Sequence, residues 1–326
     1  MGRRSVASVC VLAAGCAGEQ SALSPAGPIA SEIAWLWWGM LAMAAAIAAL
    51  VFALLLYAAL VRPERRREIR PLRLVYAGGI ALPVVVLSVL MLLGIRAGSG
   101  ATAEAPAAAI RIRVTGHQFW WDVEYDFGAP ATRFTTANEL YVPTGAPVKL
   151  LLTSRDVIHS LWVPSLAGKI DLIPGRVNRL MIEADTEGIF RGQCAEFCGI
   201  AHSQMAFHIV AVSPEAFDEW AERQLAPAVT PDDVQLERGR VLFHAAGCAL
   251  CHTVRGAKAW GRAGPDLTHF GSRRALGAGV LANTRENVAW WIAHNDAVKP
   301  RNRMPEYDDL PLEIRSTIAA YLEALE

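Results

Sequence analysis

Two stretches of this chain run free of charge for longer than a bilayer is thick. Ile33 to Val61 spans 29 residues and Leu74 to Ile95 spans 22, and a helix needs roughly 20 apolar residues to cross. They account for a composition that is 53% hydrophobic and only 19% charged. Trp35, Trp37 and Trp38 gather at the start of the first stretch, where amphipathic rings favour the membrane interface. Pro83 interrupts the second, which a spanning helix tolerates when neighbours satisfy the freed carbonyl. Buried helices of a large soluble core would need neither such length nor such clean boundaries. The expectation is a transmembrane hairpin over residues 33–95.

The connection, Arg62 to Arg73, holds six Arg and two Glu. Cationic loops of this length stay cytoplasmic, so both outer ends of the hairpin should face the exterior. The N-terminus agrees. Arg3 and Arg4 precede a short apolar run that ends Leu12-Ala13-Ala14-Gly15-Cys16, the pattern of a bacterial lipoprotein signal over residues 1–16, with lipid on Cys16. An uncleaved or conventionally cleaved leader is the alternative. Formal net charge is zero, so bulk charge offers no argument for nucleic acid as a partner.

Beyond the hairpin the texture changes twice. Ala97 to Ala109 is rich in Ala, Gly and Ser and reads as a linker. Short β-rich runs follow at Ile110–Val114, Phe119–Tyr125, Val148–Thr153, Leu180–Glu183 and Ala206–Val212. Turn signals such as Pro-Thr-Gly and Pro-Gly separate them, as in a small antiparallel sandwich. A helix near Pro214–Gln224 closes this part, and Pro227 to Pro231 marks a boundary. The remainder carries amphipathic helical patterns at Asp232–Ala246, Asn287–His294 and Leu312–Leu325. This implies a β unit over 110–226 and an all-α unit over 232–326, with no internal repeat.

Four of the six Cys lie in the exported units. Cys194 and Cys198 sit in Cys194-Ala195-Glu196-Phe197-Cys198, followed by His202 and Met205, with His159 upstream. Thiolate, imidazole and thioether together suit copper: sulfur favours the reduced ion, imidazole accepts either state, and a weak Met tunes the potential. Two thiolates on one loop can bridge two ions, and the shared charge keeps geometry steady on reduction. A disulfide, or structural zinc on Cys194, Cys198, His202 and His208, competes with this reading. Neither uses Met205 or His159.

This region resembles subunit II of cytochrome c oxidase, whose exported cupredoxin domain holds dinuclear copper A. The resemblance covers the two-helix hairpin, Gly116-His117-Gln118-Phe119-Trp120-Trp121-Asp122-Val123-Glu124-Tyr125, Asp156 to Pro164, Pro174-Gly175-Arg176, and Cys194 to Met205. It implies side-chain copper ligands His159, Cys194, Cys198, His202 and Met205. It also implies a ligating backbone carbonyl at Glu196, whose carboxylate would face a magnesium site shared with subunit I. The family's aromatic run usually begins with Trp, thought to receive electrons from cytochrome c. Phe119 stands there instead, so Trp120 and Trp121 are the candidates for an electron path, and Phe119→Trp is expected to matter little. No glutamate for proton uptake is placed, since Glu68 lies at the wrong spacing from Pro83.

Cys248-Ala249-Leu250-Cys251-His252 is the C-x-x-C-H attachment signal for c-type haem. Two thioethers would form, and His252 would become an axial iron ligand. A redox or zinc C-x-x-C would need a βαβ context or a second ligand pair. Met304, the only Met after Met205, sits among polar neighbours and is the candidate sixth ligand, which raises the potential relative to bis-imidazole. The segment resembles a class I cytochrome c. Gly239 and Phe243 would then meet Tyr321, and Gly264-Pro265 would place a carbonyl against His252. His244, His269 and His294 read as surface or packing residues.

Together these resemblances imply a multidomain membrane protein: a transmembrane helix hairpin, an all-β cupredoxin-like sandwich and an all-α cytochrome c domain. They imply subunit II of a caa-type oxidase in a bacterial plasma (inner) membrane, with both redox domains periplasmic. Electrons would pass from haem c through copper A to haem a in subunit I, where oxygen is reduced and protons are pumped. Subunit III and a soluble or membrane-bound cytochrome c, or another donor, complete the expected partners. The chain lacks intramembrane His sets of its own for oxygen chemistry. The alternatives are a copper A-containing nitric oxide reductase subunit and a free-standing membrane-bound electron carrier.

Overall fold

The computed structural model describes residues 18–62, 64, 71–102, 110–229 and 232–326. The leader with Cys16, most of the arginine loop including Glu68, and Pro231 lie outside the described residues.

Helix α1 (Pro28–Leu60) opens with Pro at its first turn and carries neither acidic nor basic residues in its end turns. Pro fits there because the first N–H groups have no intrahelical partner anyway. At 33 residues it is about 50 Å long, enough to cross obliquely. The second long helix is α2 (Pro71–Tyr76), a π turn (Ala77–Ala81) and α3 (Leu82–Thr102). The π turn sits one turn before Pro83, where the proline ring would clash with the carbonyl of Gly79; widening the helix there relieves the clash. The helix runs on to Thr102, beyond Ile95, so the Ala97–Ala109 linker of the sequence reading is helical in its first half. Leu50, Phe52, Leu55, Leu87, Leu92 and similar side chains point outward. Only the start of α1 is buried, at Ala30 and Ala34, where Ala26 bonds Ser165 and Asp185 of the β unit.

The β unit is a sandwich of two five-stranded sheets. One has the order β3 (Arg133–Ala137), β2 (Trp120–Asp126), β1 (Ile110–His117), β5 (Val148–Ser154), β8 (Asn178–Ile182). The other has β4 (Glu139–Pro143), β10 (Ala206–Val212), β9 (Gly188–Cys194), β6 (His159–Trp162), β7 (Ile170–Leu172). The sheets are mixed, not antiparallel throughout: β1 runs parallel to β5 and β10 parallel to β4. Alternation along β1, β2 and β5 sends Ile112, Val114, Trp121, Val123, Leu150 and Leu152 into the core. Helix α4 (Pro214–Leu225), capped by Ser213 on Ala216 N, lays Phe217 and Trp220 over one end of it.

The C-terminal unit packs α5 (Val234–Ala245), α6 (Arg285–Val298) and α7 (Leu312–Glu323), with two short hairpins, β11–β12 (Thr253–Val254, Ala259–Trp260) and β13–β14 (Ala275–Leu276, Leu281–Ala282). Asp233 caps α5 through Gln235 N and Leu236 N, and Thr284 caps α6. The α5–α7 crossing is close because Gly239 has no side chain: a Cβ there would meet Thr317 O at 2.5 Å and Tyr321 Cβ at 2.6 Å. Phe243 then packs edge-on to Tyr321, 5.9 Å between centroids.

Candidate functional site

The first cluster forms where the Cys194–Met205 loop folds over the end of β6. Ladder pairing of Leu161 with Cys194, and bonds from Ala195 N to Ser160 O and from Cys194 N to Met205 O, hold the loop's two ends against His159. Six donor atoms converge. Cys194 Sγ lies 3.8 Å from Cys198 Sγ, 3.9 Å from His159 Nδ1 and 3.2 Å from Glu196 O. Cys198 Sγ lies 3.6 Å from His202 Nδ1 and 3.9 Å from Met205 Sδ. Both cysteines are free thiols, so a disulfide is not formed. His208 is not part of the group; it sits on β10 with Cε1 beside Gly279 of the C-terminal unit.

His159 is fully buried, and its Nε2 meets Asp156 Oδ1 at 2.9 Å. An N–H on Nε2 leaves the Nδ1 lone pair facing sulfur, the arrangement that orients a metal-binding imidazole. Sequence reading missed Asp156 as a partner, although it lies three residues upstream in the loop before β6. Burial would raise the Asp156 pKa, but bonds from His159, Gln118 N and Val157 N outweigh it and bring it down to about 2. His159 is pulled down by burial and carried net upward by Asp156 and Cys194. Gly116 is required here, since a Cβ would stand 2.7 Å from His159 Cδ2.

The two thiols titrate as one unit. The hydrogen bond from Cys198, opposed by burial and helped by His159, holds Cys194 well below the ordinary thiol value. The same bond and burial push Cys198 upward. The pocket thus accepts one negative charge readily and the second only with added positive charge, which suits a pair of cationic metals. His159, Cys194 and Cys198 present ligand atoms within 4.8 Å of one another. The Glu196 carboxylate points to the surface, 3.4 Å from Lys169 Nζ.

The second site is a cavity of about 390 Å³. Cys248 opens the 3₁₀ turn after α5 and Cys251 caps its end, and His252 follows with Nδ1 2.8 Å from Pro265 O. A Cβ on Gly264 would press on the His252 ring at 2.6 Å, so the glycine gives the imidazole its place. Burial lowers the His252 pKa despite the Pro265 bond and favours the neutral ring a metal needs. Met304 lines the same cavity, with Trp291 Nε1 donating to its Sδ at 3.2 Å. Two thiols beside a neutral imidazole, with a thioether on the same cavity, form a donor set that fits haem c. His244, His269 and His294 take no part: His244 bonds Ala257 O, His269 bonds Ala226 O, and His294 packs on Trp290.

The cavity's remaining wall comes from the β unit, through His117, Gln118, Phe119, Trp120, Arg155 and Asp156. Trp120 stacks on His117 at 4.3 Å, while Trp121 is buried edge-on to His159 at 6.0 Å. Phe119 is only 4% exposed, and its ring would lie 3.1 Å from a Cβ on Gly199, next to Cys198. It therefore occupies a covered seam between the two sites, where a Phe119→Trp exchange has to fit between Gly199 and the cavity wall. Gln118 Nε2 donates to Cys198 O at 2.6 Å. Across the seam, Glu139 accepts from Arg274 N and Ala275 N, and Lys299 Nζ donates to the Phe119 carbonyl as well as to the Gly277 carbonyl of its own unit.

Comparison with known proteins follows these units. Residues 110–212 match the family described as cytochrome c oxidase subunit II, periplasmic domain, and residues 236–326 match cytochrome c. The chain is 34% identical to cytochrome c oxidase subunit 2 of Alkalihalophilus pseudofirmus, over 96% of this chain and 93% of that protein. It is 32% identical to the Bacillus subtilis protein of the same name, over 67% of this chain and 63% of that one. The solved periplasmic domain of subunit II of cytochrome oxidase from Bradyrhizobium japonicum matches at 32% identity and a TM-score of 0.35, covering 37% of this chain and 96% of that structure.

Proposed function

The chain belongs to the cytochrome c oxidase subunit 2 family as a member with a C-terminal cytochrome c domain, and from that premise we propose that it relays electrons from its own haem c through dinuclear copper A to haem a of subunit I. As subunit II of a haem-copper oxidase it is part of an oxidoreductase complex that includes subunit I. The relay would serve oxygen reduction coupled to proton pumping, in a bacterial inner membrane with both redox domains, near 110–226 and 232–326, on the periplasmic side. Subunit III and a soluble or membrane-bound cytochrome c are the further partners, and Cys16 would anchor a lipid.

The observation that carries this reading is the convergence of two free thiols, two imidazoles and a thioether within 3.6–3.9 Å links, one seam away from a C-x-x-C-H cavity. We assign copper to His159, Cys194, Cys198, His202 and Met205 with the Glu196 carbonyl, and haem c to Cys248, Cys251, His252 and Met304. Bound there, copper A and haem c would each supply a one-electron carrier. The protein's own residues do the rest. Asp156 and Pro265 orient the two imidazoles, and burial of His159 and Cys194 excludes water. The seam with Trp120, Phe119 and Gln118 lies between the two sites, and Trp121 packs edge-on to His159 from the core. The exposed Phe197 and Ile200 on the copper loop, beside Glu196, suit the face toward subunit I, where Glu196 would reach a shared magnesium. Metal and haem analysis of the purified complex tests the reading: two coppers per haem c, with haem a in the partner and oxygen uptake, support it. Zinc in place of copper, or haem b with nitric oxide turnover, would overturn it.

A further inference from the structure

Lys299 is an unusual charge among the described residues. It is 2% exposed, ends α6, and lies five residues before Met304. Its ammonium donates to the Phe119 carbonyl of the β unit and, at 2.9 Å, to the Gly277 carbonyl. Among the described residues no carboxylate pairs with it, and the hydrogen bonds of its ammonium go to backbone carbonyls. A buried cation without a counter-ion is costly, and burial draws its pKa down to about 7. An ammonium has three N–H donors, and carbonyls take two.

The other cations lining the cavity are differently placed. Arg155, Arg262 and Arg303 are solvated. Arg273 is buried but bonds Thr136 Oγ1 and Asp266 O, with the carboxylates of Asp266, Glu139 and Asp122 around it. Among the described cations of the cavity wall, Lys299 alone is both buried and without a carboxylate. Haem carries two propionates on the edge opposite the one that forms thioethers. Cys248 and Cys251 belong to the wall after α5, next to Tyr307, whereas Lys299 belongs to the wall shared with the β unit. We propose that Lys299 is the ion-pair partner of a haem c propionate and clasps the acidic edge of the haem to Phe119 of the copper domain.

This rests on the haem assignment above and specifies how the haem is turned: the propionate edge faces the copper site. From the Phe119 carbonyl the chain leads through Gln118, whose amide donates to Cys198 O at 2.6 Å. The backbone around Lys299 is fixed as well, by Lys299 N on Asn295 O and by Asn302 Nδ2 on Lys299 O at 3.0 Å. Lys299 is therefore a positioning residue with a charge to contribute.

The test is a redox titration and a redox-difference infrared spectrum of the purified complex, wild type against Lys299→Met, Lys299→Gln and Lys299→Arg. Removing the cation disfavours the electron-rich reduced haem. In the Met and Gln variants the oxidised-to-reduced ratio of haem c at fixed potential should rise about tenfold, equal to about 59 mV for one electron. Their propionate carboxylate band should move, with the copper spectrum unchanged. Lys299→Arg should restore both the potential and the band. Gln retains a donor for the carbonyls, so it separates the charge from the clamp should Met fail to assemble. An unmoved haem potential and propionate band in the assembled Gln variant would overturn the proposal. A wild-type complex without haem c would instead overturn the functional reading beneath it.

Discussion

Gly264→Ala adds one carbon against the imidazole on which the haem assignment depends. Its Cβ would lie 2.6 Å from His252 Cε1, 3.0 Å from Nδ1 and 3.1 Å from Nε2. Carbon atoms settle at about 3.5–4.0 Å, so the ring must retreat by roughly 1 Å or carry its backbone with it. The Nδ1 bond to Pro265 O starts at 2.8 Å, and no hydrogen bond survives at about 3.6 Å. A buried N–H left unpaired costs about 1–3 kcal/mol, and overpacking adds about 1–3 kcal/mol. A domain of this size loses about 4–8 °C of melting temperature per kcal/mol. Even the low end of the sum, about 2 kcal/mol, should therefore lower the melting of the haem domain by about 8 °C or more. The assay is thermal unfolding followed at the haem absorption band, with the optical spectrum reporting axial ligation. Wild-type melting with wild-type ligation would refute the idea that Gly264 and Pro265 hold His252 in place.

Four other outcomes are expected. Cys194→Ser or Cys198→Ser should abolish the dinuclear centre, read as copper per protein, because one bridging thiolate is lost. Met205→Leu should keep copper but shift its potential in a redox titration, since a weak thioether ligand tunes more than it holds. Met304→Leu should lower the haem potential and slow oxygen consumption sharply while copper A stays spectrally intact; undiminished turnover with a soluble donor would show that electrons reach copper without passing haem c. Protease added to intact spheroplasts should remove the domains beyond Ile95 and spare Arg62 to Arg73, whereas cleavage in that loop would reverse the topology.

The parts of this protein whose signals are local can be read along the chain. Charge-free stretches long enough to cross a bilayer are legible because their length and composition are the constraint. Cys194 to Met205 brings five of the six proposed copper donors into twelve residues, and Cys248 to His252 is contiguous, so both motifs survive without any fold. His159 is legible only as a candidate imidazole upstream, because it lies 35 positions before Cys194 and the β6–β9 pairing is what unites them. Strand β9 escaped notice because Gly188 and Gly192 weaken its pattern. Gly192 is kept for packing, since a Cβ there would stand 2.2 Å from the Phe207 ring on the paired strand. How the two redox units meet is visible only in the folded molecule. That Phe119 lies in a covered seam, that Asp156 serves His159, and that Lys299 is dry and without a counter-ion all follow from contacts between distant segments. Burial and desolvation belong to the assembled surfaces and leave no mark on the order of residues along the chain.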